Sequence, residues 1–456
     1  MSAGAASGHF GWAGIVRLGL VQTSLGAIVI LMTSTLNRVM VVELGLAAAI
    51  PGLLVGLHYA VQMSRPRWGY GADTGGRRTP WILGGMTVLA AGAILATATA
   101  ALMTVSLVLG LGLALIGFTL IGAGVGAAGT NLLALLAIRT EPSRKAAAAA
   151  IVWIMMIFGF VLTATIGGQL LKPFTFERLL LVTAGTSLIA VTLTALALYG
   201  LEPAASRKAA SAPAPAKPEP GAFRAAIVEI WQETQARRFT IFVFVSMLAY
   251  SAQDLIMEPF AGIVYGYSVG ASTQLAGVQN MGTLAGMLVT ALVCTLIGKS
   301  RADFMRNWTV GGCIASAAAL ITLAAGTFTY GAAWPLLANV LALGAANGAF
   351  AVAAIGSMMT LASAGRSSRE GTRMGLWGAS QAIAFGLGGL LGAVAADVAR
   401  YTMADPGAAF SLVFAAEGIL FLLAALLALH VGRSEADKRH LPILPAGDFL
   451  AADRRD

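Results

Sequence analysis

The chain has 456 residues, of which 58% are hydrophobic and only 11% are charged, with a formal net charge of +9. A soluble protein carries about 25% charged residues, so the composition excludes an ordinary soluble fold and indicates helices in a lipid bilayer. The apolar runs are far longer than the roughly ten-residue alternating strands of a membrane barrel. The basic residues form no single patch, which argues against a nucleic-acid partner. Cys294 and Cys313 lie in apolar runs and predict neither a disulfide framework nor a metal site.

Twelve apolar runs approach the length of about 20 residues that a helix needs to cross a bilayer. The first six predicted spans are 15–38, 46–64, 80–102, 106–137, 147–171 and 179–200. The second six are 239–265, 273–297, 305–327, 332–361, 373–398 and 407–431. This pattern predicts an all-α membrane protein with twelve transmembrane helices in two six-helix bundles.

The segment between the two sets differs in composition. Residues 202–220 are rich in Ala, Pro and charge, which is typical of a flexible linker. Residues 223–239 fit either a helix on the membrane surface or the start of the seventh span. The predicted organisation is an N-terminal bundle at 1–200, a linker at 201–238, a C-terminal bundle at 239–432 and a tail at 433–456.

The basic residues predict which side of each helix faces the cytoplasm. If both termini are cytoplasmic, 25 of the 29 Lys and Arg residues fall in cytoplasmic segments. The four left on the outer side are Arg38, Lys172, Arg178 and Arg400. Cytoplasmic loops are enriched in Lys and Arg, so we expect a multi-pass protein of the bacterial inner membrane with both termini inside.

Two features of the sequence indicate a transporter-like fold. Residues 122–126 of the fourth span and residues 344–348 of the tenth share a glycine pattern at an offset of 222 residues, which indicates an internal repeat. The loop after the second span contains Gly69, Asp73, Gly76, Arg77 and Arg78. This spacing resembles the loop signature of the major facilitator superfamily, in which acidic and basic groups can latch the cytoplasmic side through charge-assisted hydrogen bonds.

Three segments resemble a narrower family. These are residues 35–45 at the end of the first span, the run QDLIMEPFAG at 253–262, and residues 369–382 before the eleventh span. All three are similar to the PucC/LhaA family of bacteriochlorophyll-delivery proteins, with the loop at 64–73 closest to its bacteriochlorophyll synthase chain branch. The resemblance implies a carrier that binds bacteriochlorophyll and helps to assemble light-harvesting or reaction-centre complexes in the photosynthetic membrane, with antenna or reaction-centre polypeptides as partners.

Ionisable groups inside membrane spans often mark function. Such groups occur at equivalent positions in the first and seventh spans, since an offset of 216 pairs Arg38 with Asp254 and Asn37 with Gln253. We predict that Arg38 and Asp254 neutralise each other across the two halves. In the family interpretation these residues, together with Glu43 and Glu258, would line the pigment or antenna-peptide site; the alternative is a structural ion pair or groups that reach outer water.

A histidine and a glutamate complete the candidates. His58 in the second span is able to ligate the magnesium of a bacteriochlorophyll or to hydrogen-bond within the bundle. Without His58, the magnesium could be held by an amide side chain, a backbone carbonyl or water; the amide candidates are Asn37, Gln253, Gln279 and Asn280. Glu417 in the twelfth span is expected to be protonated, to face a neighbouring helix, or to contact a partner helix.

The sequence contains no catalytic signature, so we predict that the protein is not an enzyme. Two other functions stay open at this stage. One is a secondary transporter that moves a small solute by alternating access, and the other is a membrane scaffold that binds antenna helices without pigment. The spans contain few polar groups to line an aqueous path, which disfavours the transporter.

Overall fold

The computed structural model describes residues 9–65, 68, 77–141, 144–202, 228, 231–296, 302–364 and 370–431. Within these ranges the chain forms twelve long helices, six in each half. The first half contains α1 (Trp12–Ile30, continued by π-helical turns at Leu31–Leu36 and Val39–Glu43), α2 (Ala49–Gln62), α3 (Thr79–Met103), α4 (Leu107–Arg139), α5 (Lys145–Leu170) and α6 (Phe176–Leu198). The second half contains α7 (Thr234–Tyr265), α8 (Val269–Leu296), α9 (Ala302–Tyr330), α10 (Leu336–Ala364), α11 (Glu370–Thr402) and α12 (Pro406–Leu429).

Eleven of these helices are long and apolar enough to cross a membrane, and α2 is a shorter apolar helix of 14 residues. Each of the twelve predicted spans therefore corresponds to a helix, and the all-α membrane fold is confirmed. Since α7 begins at Thr234, it is longer than the predicted seventh span. Residues 234–239 belong to α7, which fits the interpretation of 223–239 as the start of the seventh span better than a separate surface helix. Most of residues 223–233 and of the predicted linker and tail lie outside the described residues, so their boundaries stay predictions.

Consecutive helices run in opposite directions, so α1 begins and α12 ends on the same side of the bundle. We call this the termini side, which the distribution of basic residues predicts to be cytoplasmic, and we call the other side the far side. Local sequence fixes several helix ends. Thr175 accepts a hydrogen bond from the backbone of Arg178 at 3.0 Å and caps α6, while Asp405 caps α12 just before Pro406.

Each half has its own apolar core. One core consists of residues from α1 to α6 together with Leu255 and Val269, and the other consists of residues from α7 to α12. Glycines bring the helices within each half close together: a Cβ on Gly124 would lie 2.4 Å from the backbone nitrogen of Leu89. Such small residues allow dense helix packing in lipid, where no hydrophobic force drives helices together.

The main contacts between the described parts of the two halves lie along three helix pairs and concentrate towards the far side. In the α5–α8 pair, a Cβ on Gly168 would lie 2.7 Å from the carbonyl oxygen of Gly270, and Lys172 Nζ donates to Gln274 Oε1 at 2.6 Å. In the α2–α11 pair, a Cβ on Gly52 would lie 3.0 Å from Ala393 Cβ. The third pair is α1–α7. The resulting arrangement closes the far side between the two halves.

A carboxylate of one half caps a helix of the other. Asp397 on α11 accepts hydrogen bonds from the backbone nitrogens of Ala48 at 2.9 Å and Ala49 at 2.7 Å, at the start of α2. These N–H groups have no partner within α2 because they belong to its first turn. A negative charge at this position also interacts favourably with the helix dipole. The cap therefore joins the halves at the far side.

Replacing Asp397 by alanine is expected to lower the free energy of unfolding by about 1 kcal/mol, because the first turn of α2 loses its cap. The measurement is the thermal unfolding midpoint of the purified protein in detergent. Glu177→Ala is the matched control, since Glu177 is an exposed carboxylate in the first turn of α6. Equal midpoints for the two variants would contradict this role of Asp397.

Candidate functional site

An aromatic cluster spans the two halves near the middle of the helices. The Tyr59 ring on α2 stacks on the Phe385 ring of α11, with centroids 5.6 Å apart, and Tyr250 on α7 contacts the same ring edge-on at 5.9 Å. Tyr59 and Tyr250 are half-buried and face the space between the halves. We call these three residues the central aromatic cluster; it presents flat apolar ring faces with two phenol groups.

Asp254 lies one helical turn after Tyr250 and belongs to the same region. It is half-buried and close enough to Tyr59 and Tyr250 to interact with them electrostatically. An acidic group next to flat aromatic surfaces can orient a large apolar ligand through a single polar contact. The structure therefore brings Asp254 together with residues that were not among the sequence candidates.

The predicted pairing of Arg38 with Asp254 is wrong. Arg38 is 2% exposed and forms an ion pair with Glu43, five residues later in the same π-helical end of α1, and it donates to the carbonyl oxygen of Tyr267 at 2.6 Å. Asp254 instead lies near Tyr59 and Tyr250, so the two charged groups have different neighbours. The equal sequence offset in the two halves therefore does not bring these two side chains together.

Glu258 lies at the interface between the halves. Ser34 on α1 donates a hydrogen bond to Glu258 Oε1, and the Ser272 hydroxyl of α8 also lies near this carboxylate. Thr35 and Thr273 share a hydrogen bond of 3.0 Å beside this contact. These residues seal the far side and do not enclose a ligand space. Ser34 and Thr35 belong to the first π-helical turn of α1. Such turns are rare and frequently occur at functional sites.

Asn37 has a specific structural role. Pro259 lacks a backbone N–H group, so the carbonyl oxygen of Leu255, four residues earlier in α7, loses its usual helical partner. Asn37 Nδ2 donates to this carbonyl oxygen at 2.6 Å from the other half. A buried carbonyl without a partner is costly in lipid. The Asn37 side chain therefore replaces the hydrogen bond that Pro259 is unable to donate.

His58 faces the interior of the first half, where it is 2% exposed. Its Nε2 lies 2.7 Å from Gln62 Nε2, and Gln62 in turn accepts a hydrogen bond from Arg65. A Cβ on Gly122 would lie 2.5 Å from the His58 carbonyl oxygen, so α4 packs directly against this part of α2. The geometry favours the hydrogen-bonding interpretation of His58 over ligation of a pigment magnesium.

Glu417 and Gln253 are buried between α12 and α7. Glu417 is 3% exposed, and this burial favours the alternative in which it faces neighbouring helices of its own half over a contact with a partner helix. Gln253 is 0% exposed, and neither its amide atoms nor the Glu417 carboxylate oxygens have a hydrogen-bond partner. Phe260 contacts Phe414 with centroids 5.0 Å apart and holds these two helices together. The side chains of Glu417 and Gln253 therefore lie in the interior of the second half.

The loop signature is only partly described. Gly69, Asp73 and Gly76 lie outside the described residues, whereas Arg77 and Arg78 are included. Arg78 donates to Asn131 Oδ1 on α4 at 3.1 Å. Glu202 accepts hydrogen bonds from the backbone nitrogen and hydroxyl of Thr79 at 2.8 and 2.6 Å and caps α3. The latch proposed for this loop therefore includes a carboxylate from the end of the first half, which the sequence did not indicate.

Sequence reasoning missed Tyr59, Tyr250 and Phe385 as site residues. Two of them stand beside candidates that were identified: Tyr59 follows His58, and Tyr250 precedes Asp254 by one turn. Aromatic residues in membrane spans are common, so their positions alone gave no signal. The convergence of three rings from both halves is visible only in the folded chain.

Comparison with known proteins identifies the family. The family model described as "PUCC protein" matches residues 35–436. The chain belongs to this family. It is 49% identical to "Bacteriochlorophyll synthase 44.5 kDa chain" of Rhodobacter capsulatus over 96% of this chain and 99% of that protein. It is also 27% identical to "Protein PucC" of Rhodobacter capsulatus over 90% of each chain.

Solved structures show the same fold at low sequence identity. A peptide transporter POT crystallised with sulfate is 15% identical, with a TM-score of 0.65 over 92% of this chain and 95% of that chain. The nucleoside transporter NupG is 14% identical, with a TM-score of 0.67 over 92% of this chain and all of that chain. The predicted fold class, two six-helix bundles of the major facilitator type, is confirmed. At this identity the likeness concerns the fold and not the substrate.

Proposed function

We propose that this protein binds bacteriochlorophyll between its two halves and delivers it to light-harvesting or reaction-centre polypeptides during their assembly. The observation that carries the proposal is the central aromatic cluster beside Asp254, in a chain whose relatives include one named for bacteriochlorophyll synthesis. The role is that of a carrier and assembly factor and not an enzyme. Its location is the bacterial photosynthetic inner membrane, with both termini in the cytoplasm.

The residues present fit a tetrapyrrole cargo. The faces of Tyr59, Phe385 and Tyr250 are suited to offset or edge-on contact with a flat macrocycle. Asp254 offers a carboxylate oxygen, a hard donor of the kind that magnesium prefers. His58 is less suitable because its Nε2 lies against Gln62. The ligand to the pigment magnesium is therefore assigned to Asp254 within this proposal.

The closed far side supports entry of the pigment from the termini side or from the membrane. Arg38, Asn37, Ser34 and Asp397 all make contacts between the halves on the far side of the aromatic cluster. A ligand at Tyr59 and Tyr250 is thus separated from the far side by buried, hydrogen-bonded groups. This arrangement suits a carrier that receives and releases its cargo on one side of the membrane.

The proposal is tested by purifying the tagged protein gently from a phototrophic host and recording its absorption spectrum, with co-purifying proteins identified by mass spectrometry. Bound bacteriochlorophyll together with antenna or reaction-centre subunits is the expected result. A colourless protein that still carries antenna subunits would indicate a pigment-free scaffold. A colourless and solitary protein would overturn the proposal in favour of a transporter of a small solute.

The double variant Tyr59→Leu and Tyr250→Leu is expected to retain about thirtyfold less pigment per protein, because two ring contacts worth about 1 kcal/mol each are lost. Tyr401→Leu is the matched control, since Tyr401 is 93% exposed at the far end of α11. Pigment content is read from absorption and protein amount from amino-acid analysis. Equal pigment in both variants would exclude the central aromatic cluster as the site.

Charge reversal of Asp254 to lysine is expected to reduce both pigment content and the yield of assembled antenna complex. A lysine ammonium repels the magnesium of the pigment and cannot ligate it. The same preparations supply the measurement, with Glu177→Lys as a charge-reversal control outside the site. Unchanged pigment content and complex yield in the Asp254 variant would remove this residue from the site.

A further inference from the structure

An amide side chain lies against a sulfur atom one turn from the central aromatic cluster, on its termini side. Gln381 Nε2 on α11 donates to Met247 Sδ on α7 at 3.6 Å. Gln381 precedes Phe385 by four residues, and Met247 precedes Tyr250 by three. Residues at these spacings share a helix face, and both side chains are half-buried. The pair therefore extends the candidate site towards the termini side.

The hydrogen bond between Gln381 and Met247 is a weak one. A thioether sulfur is a poor acceptor, whereas a carbonyl oxygen binds an amide N–H group strongly in an apolar medium. In the bilayer core no bulk water competes for the amide. A ligand carbonyl that reaches this position would therefore displace the sulfur from the amide.

The same kind of contact occurs at the equivalent place in the first half. Gln22 Nε2 on α1 donates to Met156 Sδ on α5 at 3.1 Å, and the two partners are 134 residues apart in both pairs. An offset of 225 residues relates the two pairs, with the amide and the sulfur exchanged between the helices. Each half thus joins two of its helices by one amide–sulfur contact.

The surroundings of the two contacts differ. At the same offset, the first half has Val29 where the second half has Asp254, and it has a leucine in place of Tyr250. Gln22 is 6% exposed, whereas Gln381 is half-buried. The contact in the first half therefore has a packing role, while the contact in the second half adjoins the aromatic rings and the carboxylate of the candidate site.

We propose that Gln381 leaves Met247 and donates a hydrogen bond to a carbonyl group on the edge of the bound pigment. The inference rests on the proposed function and deepens it, because Gln381 would select flat ligands that carry an edge carbonyl, as bacteriochlorophyll does. Met247 precedes Asp254 by seven residues, or about 10 Å along α7. A tetrapyrrole ring and an amide side chain together span this distance. A pigment held at Asp254 and at Gln381 has one defined orientation.

The test uses the full chain with bacteriochlorophyll a bound, and resonance Raman spectroscopy reads the carbonyl stretching bands of the pigment. A hydrogen bond lowers the frequency of such a band, so we expect one lowered band in the unmodified chain. Gln381→Leu should return this band to the frequency of a free carbonyl and reduce pigment retention about fivefold. Gln22→Leu is the matched control, since it removes the equivalent contact in the first half and should change neither reading.

Met247→Leu tests the same exchange from the other partner, because it removes the acceptor that competes with the pigment. This variant is expected to keep the lowered band and at least the pigment content of the unmodified chain. The inference is overturned, and the proposed function left intact, if the pigment binds without a lowered band, if the band persists in Gln381→Leu, or if either of the other two variants loses it. An unmodified chain that binds no bacteriochlorophyll would overturn both.

Discussion

Replacing Asn37 by leucine is expected to destabilise the protein by about 1–2 kcal/mol, and adding Pro259→Ala is expected to restore most of this loss. In the unmodified chain Asn37 Nδ2 supplies the hydrogen bond that the Leu255 carbonyl oxygen cannot obtain from Pro259. An unsatisfied buried carbonyl costs about 1–3 kcal/mol, although side-chain hydrogen bonds in membrane proteins are often weaker. Alanine at 259 restores a backbone N–H group, which can donate to the Leu255 carbonyl oxygen within α7.

This prediction is measured as a double-mutant cycle from the unfolding midpoints of the four chains in detergent. Asn280→Leu is the matched control for the asparagine. Asn280 Nδ2 donates to the Ala276 carbonyl oxygen at 2.9 Å within α8, with no proline nearby, so its effect should simply add to that of Pro259→Ala. If Pro259→Ala changes stability equally with and without Asn37, the two residues do not act together.

Replacing Gly348 by alanine is expected to cost about 3 kcal/mol and to lower the yield of folded protein severely. A Cβ on Gly348 would lie 2.0 Å from the carbonyl oxygen of Thr283 and 3.0 Å from the backbone nitrogen of Met287. Backbone atoms of α8 cannot move aside as a flexible side chain would, so α8 and α10 must separate. The separation removes packing that small residues make possible in lipid.

Folded yield is measured by size-exclusion chromatography of a fluorescent fusion, and stability by thermal unfolding. Gly311→Ala on α9 is the control, because a Cβ there would meet no atom within 4 Å. The control should be neutral or slightly stabilised, since alanine favours a helix over glycine by about 1 kcal/mol. A folded yield for Gly348→Ala that matches that of Gly311→Ala would show that α8 and α10 tolerate a wider spacing.

The run at 253–262 on α7 takes part both in the contacts that close the far side and in the candidate site. Pro259 and Glu258 belong to the QDLIMEPFAG run, and the structure places this run against α1 through Asn37 and Ser34. The most specific segment of the sequence therefore forms the closure between the halves, while Asp254 from the same run faces the central aromatic cluster. The helix α7 therefore contributes residues both to the closed far side and to the candidate site.

The sequence by itself determined the number of helices, their order and the fold class. Long apolar runs admit only helices in lipid, and each run is long enough to be recognised without knowing its neighbours. The glycine repeat at 122–126 and 344–348 likewise predicted two similar halves. The run at 253–262 identified the family, which the comparison with known proteins confirmed.

Only the tertiary structure decided which polar groups meet. The equal spacing of Arg38 and Asp254 in the two halves suggested an ion pair, but in the folded chain Arg38 pairs with Glu43. Glu417 turned out to face the interior of its own half. In a membrane protein almost every helix face is apolar, because one face contacts lipid and the other contacts helices. Hydrophobic periodicity therefore does not reveal which way a side chain points, and the partners of buried polar groups emerge only when the helices pack.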